Sequence, residues 1–510
     1  LIMSHPHSLI GIDPDRFAAW ARVTQITGSA DINSPFYSKA PLFHVLVSIV
    51  STFTGVDEFA AMNFHAVAMG LALVLLTTAF AKQVMSSPLG VVLASVLAAI
   101  MASGIRVSYW PTAQALGNVY LFAFLALLAS LDATDRRTRV VLMGGFAMGM
   151  VFVHKLPLFI TALITISFWS ALRLNQIPVD MEIKQDSRLV FGLSAFSLCL
   201  LLYQWVILTT FIEGAIDRFT AVLAFTSPLS IFATLFSASS GTAVASTPGG
   251  VPPSYGPWIV FQLGSFHIVV MLLIGAVAWI FSAYVDTLDL SRLSLLVSVA
   301  VLSSLVGAAG VSGFAISISR IFWTVSVPLT VLVAYAAIKA IEKIPTRTVH
   351  VGVTTVILVL LVVQTFSAAV IPNSPGNPRY YLDQDEAQAK EFGHRYVEPT
   401  VHADGYLASE ITNLSRIDRP GHPDVLGAQR GHFQSYDTAL LQRNLTATGY
   451  SVLLYRSDLR IYRVMDPELP YSIYELTYDP EPALRAQYDR VYDSGGTSYY
   501  SNPAESDSTA

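Results

Sequence analysis

Cysteine is almost missing from this chain: Cys199 is the only one in 510 residues. A disulfide framework is excluded, and so are the paired-cysteine motifs that hold structural zinc. Charge is scarce too. Asp, Glu, Lys and Arg make up 13% of the residues, against roughly a quarter in soluble proteins. No GxxxxGK(S/T) loop occurs, which removes P-loop phosphate chemistry. What remains is apolar, with 53% hydrophobic residues and a mean hydropathy of +0.55. Such a composition belongs in a membrane. With a net charge of −5, no nucleic-acid partner is expected.

Ten apolar runs lie between Phe59 and Val370, and each reads as a span, since crossing a bilayer takes roughly 17–25 apolar residues. The fourth and fifth, Val140–Val153 and Leu158–Leu172, are short and share the tight turn "HKLP". Ala40–Thr54 is apolar on one side only and predicts a helix lying in the interface. Lys82, Arg136, Arg137, Arg139, Arg173, Lys184, Arg188, Arg292, Lys339, Lys343 and Arg347 all fall in alternate connections. By the positive-inside rule those face the cytoplasm. Outside are then residues 1–58, the turn around Arg106, the turn at His154–Lys155, the 209–257 segment and the approach to Arg320. The chain begins with Leu, and an additional helix ahead of it would make eleven spans with the same parity.

The fold class expected is mainly α: a polytopic helix bundle with a small extracellular α/β domain. The first outer loop is 1–58, the bundle 59–371, and the exterior domain 372–510. That last part carries 20 acidic and 12 basic residues, net −8. "YSVLLYR" and "LRIYRV" read as strands, and "DRVYDSGGTSYYS" as a hairpin turning at Ser494-Gly495-Gly496. Its end, "AESDSTA", reads as a disordered acidic tail. Asn413-Leu-Ser and Asn444-Leu-Thr match the glycosylation sequon. Arg outnumbers Lys 23 to 7, which with the acidic domain suits a salt-loving or GC-rich microbe. Within 209–257, "SASSGTAVASTPGGVPPSYG" predicts a flexible loop.

Chemistry-bearing residues gather on the predicted outer side. "SLIGIDPDRFAAW" holds Asp13 and Asp15, and "SPFYSKAPLFHVL" holds Lys39 and His44. "GIRVSYWPTAQ" brings Arg106, Tyr109 and Trp110, "VHKLPL" brings His154 and Lys155, and Arg320 opens "RIFWTVSVPL". Each has a bland alternative. Asp13 can cap a helix with Pro14 at its first position and Asp15 in its first turn. The histidines can be packing residues, and the arginines can snorkel to headgroups. The clustering on one side favours function, because ionisable residues near the membrane plane are costly to keep.

"GIDPDRFAAWARV", followed by "PFYSKAPLFHVLVSIVSTFTGVDEFAAMNF", resembles the first outer loop of the GT-C membrane glycosyltransferases, especially archaeal members. Many spans, a flexible outer loop and a soluble outer domain extend the resemblance over nearly the whole chain. "RIFWTVSVPL" is similar to the Arg-led span late in such proteins. No WWDYG-type motif is present, which argues against an oligosaccharyltransferase, and the Asp-Glu pair of the protein mannosyltransferases is also lacking. The resemblance implies sugar transfer from a polyprenyl- or dolichyl-phosphate donor to a glycan, lipid or protein acceptor at the outer face of the cell membrane. Asp13 and Asp15 then supply catalysis or hold a divalent metal such as Mg or Mn. Arg320 and Arg106 bind the donor phosphate, and His44, Lys39, His154, Lys155 and Tyr109 line the substrates. Two other classes stay open: a transporter or flippase of a lipid-linked sugar, and a non-catalytic protein of cell-surface assembly.

Overall fold

The computed structural model describes residues 9–11, 13–30, 36–101, 105, 108–131, 135–173, 187–213, 247–251, 258–285, 288–312, 318–344, 346–370, 381–414, 417, 432–463 and 473–503. Two amphipathic helices come first, α1 (Pro14–Thr27) and α2 (Leu42–Thr54), each closed by a left-handed glycine at Gly28 and Gly55. Among the described residues ten longer helices follow, one for each apolar run: α3 (Glu58–Val84), α4 (Pro88–Ile100), α5 (Ala113–Leu128), α6 (Arg136–Val151) and α7 (Lys155–Arg173). They continue with α8 (Ser187–Leu202), α9 (Trp258–Val285), α10 (Leu290–Ser312), α11 (Ile318–Lys343) and α12 (Arg347–Val370). Six of the described helices are long and apolar enough to cross a membrane; α4 and α5 are shorter apolar helices.

The bundle is organised around α11, whose apolar window is wholly buried, with α3, α4, α9, α10 and α12 packed about it. Close approach needs small residues. A Cβ at Gly275 on α9 would lie 2.3 Å from Leu329 Cδ1 on α11. Pro328 interrupts the backbone ladder of α11, and Ser326 and Thr330 turn their hydroxyls onto the Trp323 and Val327 carbonyls, each at 2.8 Å. Neutral pairs among the buried polar groups suit a hydrocarbon setting. Thr324 Oγ1 donates to Asn118 Oδ1 at 3.2 Å. A π-helical turn, Tyr203–Leu208, extends α8 and points Gln204 at the Met150 and Val151 carbonyls.

The C-terminal domain opens with α13 (Gln384–Tyr396), started by an Asp383/Glu386 capping box. Its main sheet has the order β3 (Phe433–Ser435), β2 (Val401–Ala403), β4 (Val452–Arg456), β8 (Thr497–Ser501), β7 (Asp489–Asp493). The first three strands are parallel and the rest antiparallel. Strands β7 and β8 form the expected hairpin, with Gly495 at φ +98°. A short helix, α14 (Gly405–Ser409), follows β2.

Arg456 lies 1% exposed in this domain. Its guanidinium forks onto both Asp404 oxygens at 2.6 and 2.8 Å and reaches Glu386 at 3.2 Å. A second, antiparallel sheet holds a surprise. Beside β5 (Ile461–Arg463) and β6 (Ile473–Leu476) lies β1, Gly250–Val251, from the far end of the 209–257 segment. That segment reads as loop throughout, because a two-residue strand leaves no periodicity. Gly249 N–H donates to the Leu441 carbonyl at 2.7 Å, so the segment's end is sewn to the domain. Most of the predicted flap, 214–246 and 252–257, lies outside the described residues, as does the acidic tail 504–510.

Candidate active site where the connections meet

Described residues of the first four connections that charge alternation assigned to one side, and of α11 just beyond the fifth, come together at one end of the bundle. Gly11, in the first, lies against the Trp110 indole of the second. Trp110 meets Trp323, near the start of α11, edge to face at 5.9 Å. Leu42 N–H donates to the Phe152 carbonyl of the third connection at 2.9 Å. Lys155 sits 4.0 Å above the ring of Phe211 in the fourth. That connection ends in β1, on the C-terminal domain. The ring closes where Tyr406 donates its hydroxyl to the Gly11 carbonyl at 3.1 Å. These connections and the domain therefore share one side.

Gly11 explains part of the local sequence. Its φ of +127° and the Trp110 ring, 2.1 Å from where a Cβ would stand, both exclude any other residue. Two residues later α1 begins. Asp13 occupies the N-cap position and Pro14 the first helical one, as the cap reading requires, yet the Asp13 carboxylate makes no capping bond. It is 40% exposed, with Arg16 at 4.0 Å.

Asp15 behaves in the opposite way. It is 2% exposed, and its Oδ2 accepts the Ile411 N–H at 2.8 Å. It also faces Glu410, itself 4% exposed. Asp15 Oδ1 and Glu410 Oε2 are both buried acceptors, so the two groups can bond only through a proton. Burial pushes both carboxyls up, Glu410 well above the usual carboxylate range. Among the described residues no three His, Cys, Asp or Glu side chains gather as metal ligands. Asp13 and Asp15 differ in burial, the Asp13 side chain being 40% exposed and Asp15 2%.

The other candidates separate. His44 is fully buried, with Phe17, Trp20, Tyr37 and Phe43 at ring distances of 5.2–5.6 Å. Burial pushes its imidazole down to about 3, so it is neutral and packs. Lys39 is exposed in the turn before α2. His154 is buried and accepts the Leu156 N–H at Nδ1, 3.3 Å away. Phe36 lies near both His154 and Lys155. Tyr109 is half-buried in the turn before Trp110. Arg320 belongs to the first turn of α11, one turn before Trp323, with its side chain outside the described residues; Arg106 lies outside them altogether. Tyr406, Glu410 and Ile411 were not legible as site residues, since nothing in "GYLASEI" marks it as the partner of a segment nearly four hundred positions away.

No family model and no curated protein matches the sequence. Solved structures do match in fold. The oligosaccharyltransferase of Archaeoglobus fulgidus in its apo form aligns with 89% of this chain and 66% of its own, at 10% identity and a TM-score of 0.50. The same protein in complex with Zn and sulfate gives 11% identity, 89% and 65% coverage, and 0.50. This chain thus spans just under two thirds of that enzyme. ArnT of Cupriavidus metallidurans, bound to undecaprenyl phosphate, aligns over 99% of this chain and 95% of its own, at 12% identity and 0.50. The chain shares the fold of these solved structures.

Proposed function

We propose that this protein is a membrane glycosyltransferase that moves a sugar from a polyprenyl- or dolichyl-phosphate donor to an acceptor at the outer face. The observation that carries this reading is the stack Gly11–Trp110–Trp323. It draws together two backbone stretches, one bearing Asp13 and the other Arg320. A carboxylate at a helix start and an arginine in the first turn of a membrane helix are what a lipid-phosphate sugar requires. Asp13 takes the proton of the acceptor hydroxyl, whose oxygen attacks the anomeric carbon. The bond from that carbon to the phosphate oxygen breaks. The lipid phosphate leaves with the bonding electrons, and Arg320, assisted by Arg106, stabilises its charge.

The fold neighbours support the lipid partner in kind, since one of them was solved with undecaprenyl phosphate. The protein purified into lipid with a labelled polyprenyl-phosphate sugar tests the reading. Release of the lipid phosphate with transfer of the label supports it. Movement of intact donor across the bilayer identifies a flippase instead. The orientation that goes with this reading has ten spans, residues 134–139 and 173–188 inside, and the C-terminal domain outside. A Ser494→Cys variant lacking Cys199 reports on it: labelling by an impermeant reagent on intact cells is expected, and protection reverses the orientation.

A further inference from the structure

Asp13 is only half-buried, but its neighbours two positions away on either side are not free. The Gly11 carbonyl accepts from the Tyr406 hydroxyl at 3.1 Å, and the Asp15 carboxylate accepts from the Ile411 N–H at 2.8 Å. Both donors lie in one short stretch of the C-terminal domain, from α14 to the residues just after it. Tyr406 is buried and lies against Arg456, which Asp404 and Glu386 hold rigidly. Lys390, buried as well, donates to the Leu407, Ala408 and Glu410 carbonyls and fixes the end of α14. The stretch is therefore tied to the domain's own core by two buried cations. Further along α1, Arg22 Nε donates to the Ile417 carbonyl at 3.4 Å.

We propose that the Tyr406–Ile411 stretch is a clamp by which the C-terminal domain positions Asp13, with Tyr406 and Glu410 as its positioning residues. The proposal rests on Asp13 being the reacting carboxylate, as argued above. On the far side Gly11 is wedged by Trp110, so the short run carrying Asp13 is held between the bundle and the domain. The physics is that of pre-organisation. Unlike a side chain tethered in a helix interior, Asp13 makes no capping bond to fix it. A misplacement of roughly 1 Å can cost about a hundredfold in rate. The domain thus contributes to catalysis without touching the substrate.

Tyr406→Phe keeps the ring and removes only the hydroxyl. Two readouts on the full-length protein in lipid follow. The first is amide hydrogen exchange of residues 9–20, expected to speed up about tenfold while exchange of β4 and β8 is unchanged. The second is kinetic: a fall in kcat of about ten- to hundredfold with the donor KM unchanged. Glu410→Ala should act likewise, and Glu410→Gln, whose amide can still bond Asp15, should recover most of the loss. Wild-type exchange at residues 9–20 in Tyr406→Phe overturns the clamp, whatever the activity. So does a donor KM that rises with kcat constant, because that marks a binding role. Faster exchange in a protein that never transfers sugar retains the clamp and rejects the transferase reading instead.

Discussion

Asn118 and Thr324, inside the bundle, are neutral and joined by one hydrogen bond of 3.2 Å; Arg456, Asp404 and Glu386, equally buried in the C-terminal domain, form ion pairs. The contrast follows from the solvent around each part. In hydrocarbon an ion has nowhere to go if its partner is lost, so bundle interiors keep few polar groups and keep them uncharged. A domain in water can bury ions, provided that every partner is present. The site lies where these two regimes meet. Asp13 sits at that boundary, half in water, and the domain's charged core holds the stretch that reaches it.

The largest effect belongs to the charged core. Arg456→Ala strands Asp404 and Glu386 in a dry interior, which costs about 3–5 kcal/mol. Thermal unfolding should show the domain melting early while the helical signal of the bundle persists in lipid. If the domain keeps its melting temperature, its core is not held by charge and the contrast fails.

At the boundary, Arg320→Ala is expected to lower donor affinity about ten- to hundredfold, the value of roughly 1.5–3 kcal/mol for a charge-assisted pair. Arg320→Lys should restore only part of it, since the planar fork is lost. Titration with an undecaprenyl-phosphate analogue measures both, and wild-type affinity in the alanine variant would make Arg320 a headgroup anchor.

In the bundle, Thr324→Val leaves Asn118 without its hydroxyl partner and should cost only about 1 kcal/mol, because pairs in membranes are individually weak. A loss as large as that for Arg456→Ala would erase the distinction between the two regions. The smallest effect is in pH. Burial, then the facing Asp404, push the Asp437 carboxyl up to about 7. The folded domain favours its protonated form, so this contribution is full below the ordinary carboxyl range and is lost as pH rises through about 7. Asp437→Asn, which can still accept the Gly405 N–H, should flatten the fall in melting temperature between about pH 4 and 7.

Hydropathy located the bundle helices because burial from water needs only an apolar run. It could not rank them. The apolar windows of α11 and α12 have the same mean hydropathy, yet one is entirely buried and the other 11% buried. Lipid and protein interior are equally apolar, so sequence does not say which helix is central. Charge alternation was more informative, since the connections it grouped do meet in space. The aspartates were legible as a pair but not as opposites. Asp15 is buried by Glu410 and Ile411, nearly four hundred residues downstream, and no local pattern records such a contact. β1 was hidden for a related reason, because two residues that complete another domain's sheet carry no strand signature of their own.

The account stands on Asp13, and Asp13→Asn is its most direct test. Asparagine occupies an N-cap as readily as aspartate, and the carboxylate makes no capping bond to lose, so folding and thermal stability should stay at the wild-type level. Sugar transfer from a labelled polyprenyl-phosphate donor, measured with the variant in lipid, should fall by about 10²–10⁴ with donor binding retained. Transfer at the wild-type rate would contradict the assignment and leave Asp13 as a residue that merely starts a helix.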